Sequence, residues 1–401
     1  MSNNITLASI LESGFAKFSE NSTSLTSAHC RVVEDILRCR TSDAGSRSEQ
    51  CDQCGQKHIL YNSCRNRHCP QCQAIARIRW VQNRMEELLP VPYSHVVFTI
   101  PQELNPWALR NKKEFYSLLF RSVKETLVEL ADDPKRLGAQ IGFIMMLHTW
   151  GQTLIDHPHI HCIVPAGGIA YDDDRWIPCK NAFLFPVKVV SKLFRGKLLS
   201  YFKEAVENKT IVPHGSLALT PGCKELRCFM DTLYKKEWVV YIKKPMEGPA
   251  AVVEYLGNYT HRIAIANSRL HAMDPYKKTV TFSFKDYADQ NKKKDMTLAT
   301  DEFIRRFLLH VVPTGFMRIR HCGFVSCRAR PVAIERLRKV FKTMKPYMPV
   351  KKRIKTPWYE LVKDKTGKDP RICSKCNKGI MRVVAVSESV RRRDAGTMKI
   401  Q

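Results

Sequence analysis

The apolar and polar positions along the chain fall into three textures. The first ~30 residues are polar with a weak apolar period, and a short helix is expected over Val32 to Leu37. A Cys-rich block without periodicity follows at 39–72. From Ala74 to Leu89, apolar residues return at helical spacing (Ile75, Ile78, Trp80, Met85, Leu88) opposite a charged side. That pattern predicts an amphipathic helix, which Pro90 and Pro92 terminate.

From Tyr93 the pattern becomes that of strands and helices. HVVFTIP, IGFIMMLHTW and HPHIHCIVPAG are β-branched or apolar runs that read as strands, with a helix around 112–131 between the first two. GIAYDDDRWIP is hairpin-like, and Val187 to Glu207 is a basic helix. After Leu219 come a strand in WVVYIKKP, a helix carrying VVEYLGNYTHRIA, a strand in TVTFSFKDY and an Arg-rich helix in DEFIRRFLLHV. Strands, helices and long crossovers in one stretch indicate an α+β or α/β sheet domain. The tail from Arg318 is basic, with KKRIK at 351–355, CSKC at 373–376 and Arg391 to Arg393. There is no internal repeat. Lys292 to Lys294 read as a solvated loop or as a phosphate contact.

A length of 401 residues suits two or three domains, and 44% hydrophobic content is ordinary for a globular protein. The net charge of +28 is not ordinary; it calls for a polyanionic partner. No apolar run approaches the roughly 18–20 residues a bilayer requires, and MSNNITLASILESG lacks the layout of a signal peptide. A soluble, intracellular chain whose partner is nucleic acid is therefore expected, with no membrane role.

Of fifteen cysteines, seven lie between residues 30 and 72, which in a reducing compartment reads as metal ligation. Cys51 and Cys54, then fourteen residues, then Cys69 and Cys72 have zinc-ribbon spacing. Four thiolates would close the tetrahedron around a structural Zn²⁺. Cys39, His58, Cys64 and His68 are close enough to exchange for a member or build a second site. Cys30 and Cys39 read as buried thiols. Arg65, Arg67 and His68 fall between the ligands, so the ion would hold cations on a rigid loop suited to DNA phosphates.

In His157-Pro158-His159-Ile160-His161 the imidazoles alternate, so an extended chain turns them to one face while Ile160, Cys162 and Val164 anchor the other. Such a strand can hold a divalent metal with open positions, or simply carry structural histidines. Tyr255 and Tyr259 lie four apart in a predicted helix and share its face. They are either core residues or a pair of phenols, each able to attack a phosphodiester placed by the metal.

These residues resemble the HUH single-strand nucleases, and within them the IS91 (insertion-sequence-ninety-one) family of two-tyrosine rolling-circle transposases. The resemblance covers nearly the whole chain, through YNSCRNRHCPQCQ, HVVFTIPQELN, HTWGQTLIDHPHIHCIVPAGG, LFRGKLL, YLGNYTHRIAIANSRL, FIRRFLLHVVPTGFMRIRHCGF and the late CSKC. It implies an α+β fold: a central antiparallel sheet flanked by helices, preceded by a small zinc-binding domain and followed by a basic C-terminal region. The expected divisions are 1–90, 91–320 and 321–401. His159 and His161 fall on the family's metal-binding motif, and Tyr255 and Tyr259 on its paired nucleophiles. The implied chemistry is Mg²⁺- or Mn²⁺-assisted transesterification on single-stranded DNA, at element ends and target, through 5′-phosphotyrosine links. A third metal ligand is left open among His157, Gln152, Asn258 and His261. Arg262 and Arg269 are candidate phosphate clamps. The late Cys373 and Cys376 supply only two ligands, so a C-terminal zinc would have to recruit a residue such as His321, Cys322 or Cys327 and is left open.

Replication initiators and relaxases share this chemistry, but the early zinc block and the lack of a G-x4-G-K-[ST] loop favour a transposase. A non-enzymatic zinc-dependent DNA-binding regulator would explain the charge and the cysteines, yet would leave HPHIH with YxxxY to coincidence. A small-substrate metallohydrolase conflicts with the charge. A transposase of this kind would work in a prokaryotic cytoplasm, on the nucleoid. No motif for recruiting host helicase or replication proteins is recognisable.

Overall fold

Apolar and β-branched runs around positions 95, 145 and 160 build the central sheet in the computed structural model, which describes residues 5–85, 87–180, 184–212, 224–246, 252, 257, 262–341 and 356–389. Helices α1 (Leu7–Asn21) and α2 (Ser27–Arg38) come first, then β1 (Ser46–Cys51), β2 (Lys57–Tyr61) and α3 (Gln73–Met85). Strand β3 (Tyr93–Thr99) is followed by α4 (Asn105–Arg110) and α5 (Lys112–Asp132), and these by β4 (Gly142–Trp150) and β5 (Asp156–Pro165). A small hairpin, β6 (Gly167–Ile169) with β7 (Trp176–Pro178), leads to α6 (Val187–Glu207), α7 (Lys224–Lys235) and β8 (Val240–Met246). The remainder comprises the meander β9 (Leu270–Asp274), β10 (Thr279–Asp286) and β11 (Lys292–Ala299), then α8 (Thr300–Leu309), β12 (Ile319–Gly323), α9 (Arg330–Val340), α10 (Trp358–Thr366) and β13 (Met381–Ser387).

The central sheet runs β12-β4-β5-β3-β8, and every neighbouring pair is antiparallel. With its flanking helices this is the α+β architecture expected. Strand alternation sorts its residues. Ile160, Cys162 and Val164 join Phe98, Phe143, Met145 and Leu147 on one face, where Trp107, Phe115, Phe120, Phe194 and Phe202 of the helices bury them. Each such side chain contributes roughly 1.5–3 kcal/mol on burial. A one-residue slip of β5 would send them all to the opposite face, so the apolar set fixes the register. The opposite face carries the histidines, and beyond them Tyr93, Ile144, Met146 and Ile163 pack with Leu89, Val252 and residues Ile334 and Leu337 of α9.

A second core forms where α1 and α2 pack on α8 and the meander: Leu7, Ile10, Leu11 and Phe15 meet Phe282, Phe303, Ile304 and Phe307. The polar opening of the chain is thus a helix, started by a capping box in which Thr6 and Ser9 exchange hydrogen bonds. Helix α2 extends well beyond Val32 to Leu37 at its N-terminal end. Lys292 to Lys294 begin a strand instead of a loop, and Lys294 pairs with Asp286 and Asp289.

The third sheet is a ribbon ordered β13-β1-β2. The basic tail therefore returns to the start of the chain, and residues beyond 320 place one strand in the central sheet and one in the ribbon. Among the described residues no helix is long and apolar enough to cross a membrane.

Candidate active site

The β4–β5 hairpin sets the site. His148 lies directly opposite His159, and Met146 opposite His161, so residues 148, 159 and 161 project from one face. One ring nitrogen from each of His148, His159 and His161 lies within 4.8 Å of the others. His148 and His161 are buried, and His159 is partly so. The Nδ1–H of His159 donates to the carbonyl of His157 at 2.7 Å, which leaves its Nε2 lone pair for a ligand. Nδ1 of His161 lies 2.9 Å from Nε2 of His95, again leaving Nε2 of His161 unused by that bond.

Burial keeps the rings of His159, His161 and His95 neutral. It takes His159 down to about 3, although the His157 carbonyl pulls the other way, and it holds His161 well below its ordinary range. The cation of Arg262 acts on both in the same sense. His95 falls to about 4 through burial and then Lys243. A metal ligand must be unprotonated, and this pocket supplies that state at neutral pH.

His148, which sequence reasoning did not name, completes the trio; the four residues considered for a third ligand stand elsewhere or outside the described residues. His157 contributes its carbonyl to His159 and stands outside the trio. Gln152 turns away, its amide donating to the hydroxyl of Tyr287 at 2.9 Å. Asn258 and His261 lie outside the described residues, as do Tyr255 and Tyr259. Between the two tyrosines' positions and β8, Val252 is helical and fully buried in the cluster containing Met146 and Ile163, which flank the histidines on their own face. Helical Gly257 approaches α3 so closely that a Cβ there would stand 3.1 Å from Val81.

The cysteines depart from the single set expected. Cys51 and Cys54 do not meet Cys69 and Cys72. Cys39, Cys64, Cys69 and Cys72 form one cluster, with Cys39–Cys72 and Cys64–Cys72 sulfur distances of 3.4 and 3.6 Å. Cys51, Cys54, Cys373 and Cys376 form another. The reason is the β1–β13 pairing, which carries the first knuckle away, while the C-terminal end of α2 delivers Cys39 to the second. Cys39 is therefore a ligand candidate and no mere buried thiol, whereas Cys30 stays outside both clusters. His68 is buried beside Cys69 yet belongs to neither; its main-chain N–H donates to Asn66 Oδ1 at 2.9 Å.

The proposed cations also divide. Arg65 is exposed. Arg67 is exposed but donates to the carbonyl of Phe316 at 2.8 Å. Arg262 stands near the histidines. Arg269 is no surface clamp: it donates to the carbonyls of Ser283, Ala264 and Gln152 and lies over the ring of Phe282. Burial lowers its pKa to about 10. Its guanidinium is consumed in holding β10 to the β4–β5 turn.

Residues 142–331 match a family model described as "Putative transposase", and residues 10–100 match one described as "Transposase zinc-binding domain". With the two cysteine clusters, the second match supports structural zinc. The chain is similar to "Putative transposase y4qJ" of Sinorhizobium fredii, at 43% identity over 92% of this chain and 92% of that protein. It is also similar to "Transposase for insertion sequence element IS801" of Pseudomonas savastanoi pv. phaseolicola, at 28% identity over 79% of this chain and 74% of the relative. No solved structure matches.

Proposed function

Because the chain belongs to the IS91 family of insertion-sequence transposases, we propose that it nicks and rejoins single-stranded DNA as an HUH-type nuclease in rolling-circle transposition. The observation that carries this reading is the convergence of three imidazoles, His148, His159 and His161, on one point of the sheet. Three nitrogen donors suit Mn²⁺ better than Mg²⁺, which prefers an all-oxygen shell. A divalent ion held there supplies Lewis-acid polarisation of the scissile phosphate and spreads the charge of its oxygens.

Tyr255 or Tyr259 loses its phenolic proton and attacks phosphorus. The new P–O bond to tyrosine forms as the P–O3′ bond breaks, and the departing oxygen takes a proton to become a free 3′-OH. Bond energy is retained in the 5′-phosphotyrosine, so rejoining to a second 3′-OH needs no nucleotide triphosphate. The second tyrosine permits another cleavage while the first link persists. In the sequence Tyr255 and Tyr259 follow buried Val252 by three and seven positions, a spacing that a helix would return to one face.

His95 acts as a positioning residue, accepting from the Nδ1–H of His161 when its Nε2 is engaged. Arg65, Arg67 and Arg262 would contact DNA phosphates, consistent with the +28 charge. The chemistry falls within 91–320, while 1–90 supplies zinc-stiffened DNA contacts. Strand separation would come from host helicase or replication proteins, in the cytoplasm where the nucleoid lies.

The test uses full-length protein, labelled single-stranded DNA spanning an element end, and Mn²⁺ or Mg²⁺, resolved by denaturing electrophoresis. A slower, protease-sensitive band that needs metal and vanishes in His159→Ala and in the Tyr255→Phe/Tyr259→Phe double variant is expected. An adduct that persists in the double variant overturns the nucleophile assignment. Binding without adduct on several native ends overturns the nuclease.

A further inference from the structure

Cys51 closes β1 and Cys54 lies in the turn to β2, while Cys373 and Cys376 occupy the turn before β13. Their sulfurs all lie within 4.8 Å of one another, with Cys51–Cys376 and Cys54–Cys373 each at 3.7 Å. A Zn–S bond of about 2.3 Å gives a tetrahedron with edges of roughly 3.8 Å, whereas a disulfide would bring two sulfurs to about 2.05 Å. The spacing is that of four thiolates arranged for one zinc ion.

The two turns are built alike. The N–H of Gly55 donates to the carbonyl of Cys51 and that of Asn377 to the carbonyl of Cys373. Gly55 and Asn377 both take positive φ, 71° and 54°. Main-chain N–H groups point at sulfur on both sides: Gln53 and Cys54 at Cys51, and Gly379 at Cys376, at 3.3–3.5 Å. Gly379 packs so tightly that a Cβ would lie 2.3 Å from the sulfur of Cys51. Beyond the turns, β1 and β13 pair from Ser46↔Ser387 to Cys51↔Met381, and Asp52 receives the N–H of Ile380.

We propose that Cys51, Cys54, Cys373 and Cys376 bind a second zinc ion, a clasp that joins the N-terminal and C-terminal knuckles of one chain. The chain then carries two structural zincs, the other held by Cys39, Cys64, Cys69 and Cys72. The zinc-domain match ends at residue 100 and so contains only half of the clasp's ligands. Without the C-terminal half, two thiolates cannot close the tetrahedron, and β1–β2 is left as a two-stranded hairpin, which is marginal in water.

The test is zinc per full-length chain by mass spectrometry of the metal, in a His148→Ala/His161→Ala background so that the histidines hold none. Two zincs are expected, falling to one in Cys373→Ser/Cys376→Ser. Cobalt substitution of the unaltered cysteine set should show all-thiolate tetrahedral spectra for both ions, a readout that survives if the double variant does not fold. One zinc in the parent overturns the proposal. So do two zincs retained after loss of Cys373 and Cys376, or a second cobalt ion without a four-thiolate spectrum.

Discussion

His310 follows α8 and is buried, spanning the hydroxyl of Thr149 at 3.2 Å and the carbonyl of Leu154 at 3.0 Å. Those two residues flank the turn between His148 and His159, so this imidazole pins the hairpin that carries the metal candidates. Burial lowers its pKa to about 3, although the Leu154 carbonyl pulls the other way. The folded ring is therefore neutral throughout pH 7 to 5, while the unfolded ring, at about 6.5, goes from about a quarter protonated to almost fully protonated across that interval. The unfolded state binds more protons, so stability falls as pH falls. Integrating the linkage from pH 7 to 5 gives a loss of about 2 kcal/mol from this residue. His310→Gln keeps an uncharged hydrogen-bonding group and removes the titration. Urea unfolding of both proteins at pH 7, 6 and 5 should show the parent losing about 2 kcal/mol more than the variant. Acid effects on the cysteines and other histidines are common to both and cancel in the difference. Equal pH slopes would mean that His310 is protonated or hydrated in the folded chain, and the pinning argument would fail.

His148→Ala should weaken Mn²⁺ binding by at least about 100-fold, beyond the 10–100-fold typical of losing an outer partner; Mn²⁺ paramagnetic resonance on full-length protein measures it, and unchanged affinity would remove His148 from the site. Arg269→Met should lower stability by about 3 kcal/mol, since it strands carbonyls that now accept from a cation. The salt dependence of its DNA binding should stay that of the parent, whereas Arg65→Ala should reduce the slope by about one. A reduced slope in Arg269→Met would restore it as a phosphate contact.

Much of the fold was legible because alternation is local. The pattern around Ile160, Cys162 and Val164 correctly turned the histidines to the opposite face, and β3, β4, β5 and β8 stand where their apolar runs predicted, whereas the edge strand β12 lies in a segment that read only as basic. Helix α1 escaped notice because its few apolar residues, Leu7, Ile10, Leu11 and Phe15, are diluted by Ser, Glu and Lys. His148 was hidden for a different reason: it is one polar residue in an apolar strand, and only the hairpin register sets it against His159. Its signal was there, since it shares parity with Met146 and Ile144. The cysteine sets defeated spacing arguments because nearness in sequence favoured Cys69 and Cys72 as partners of Cys51 and Cys54, while the partners come from the other end of the chain. Arg269 shows the converse limit, for a cation in a basic sequence is indistinguishable from a phosphate contact until its carbonyl acceptors are seen.

The ribbon pairs Ser46 with Ser387, while the histidine trio belongs to one hairpin with a short turn. These contacts differ in when they can form during synthesis. A hairpin closes within about 1–10 μs once both strands exist. At roughly 5–20 residues per second, a ribosome that has made Cys54 needs tens of seconds more to reach Cys373. The centre of the molecule can thus organise while translation continues, but the ribbon is the last sheet to close. A premature stop that falls after β5 and before β13 leaves a nascent chain with the histidine hairpin made and an open edge on β1.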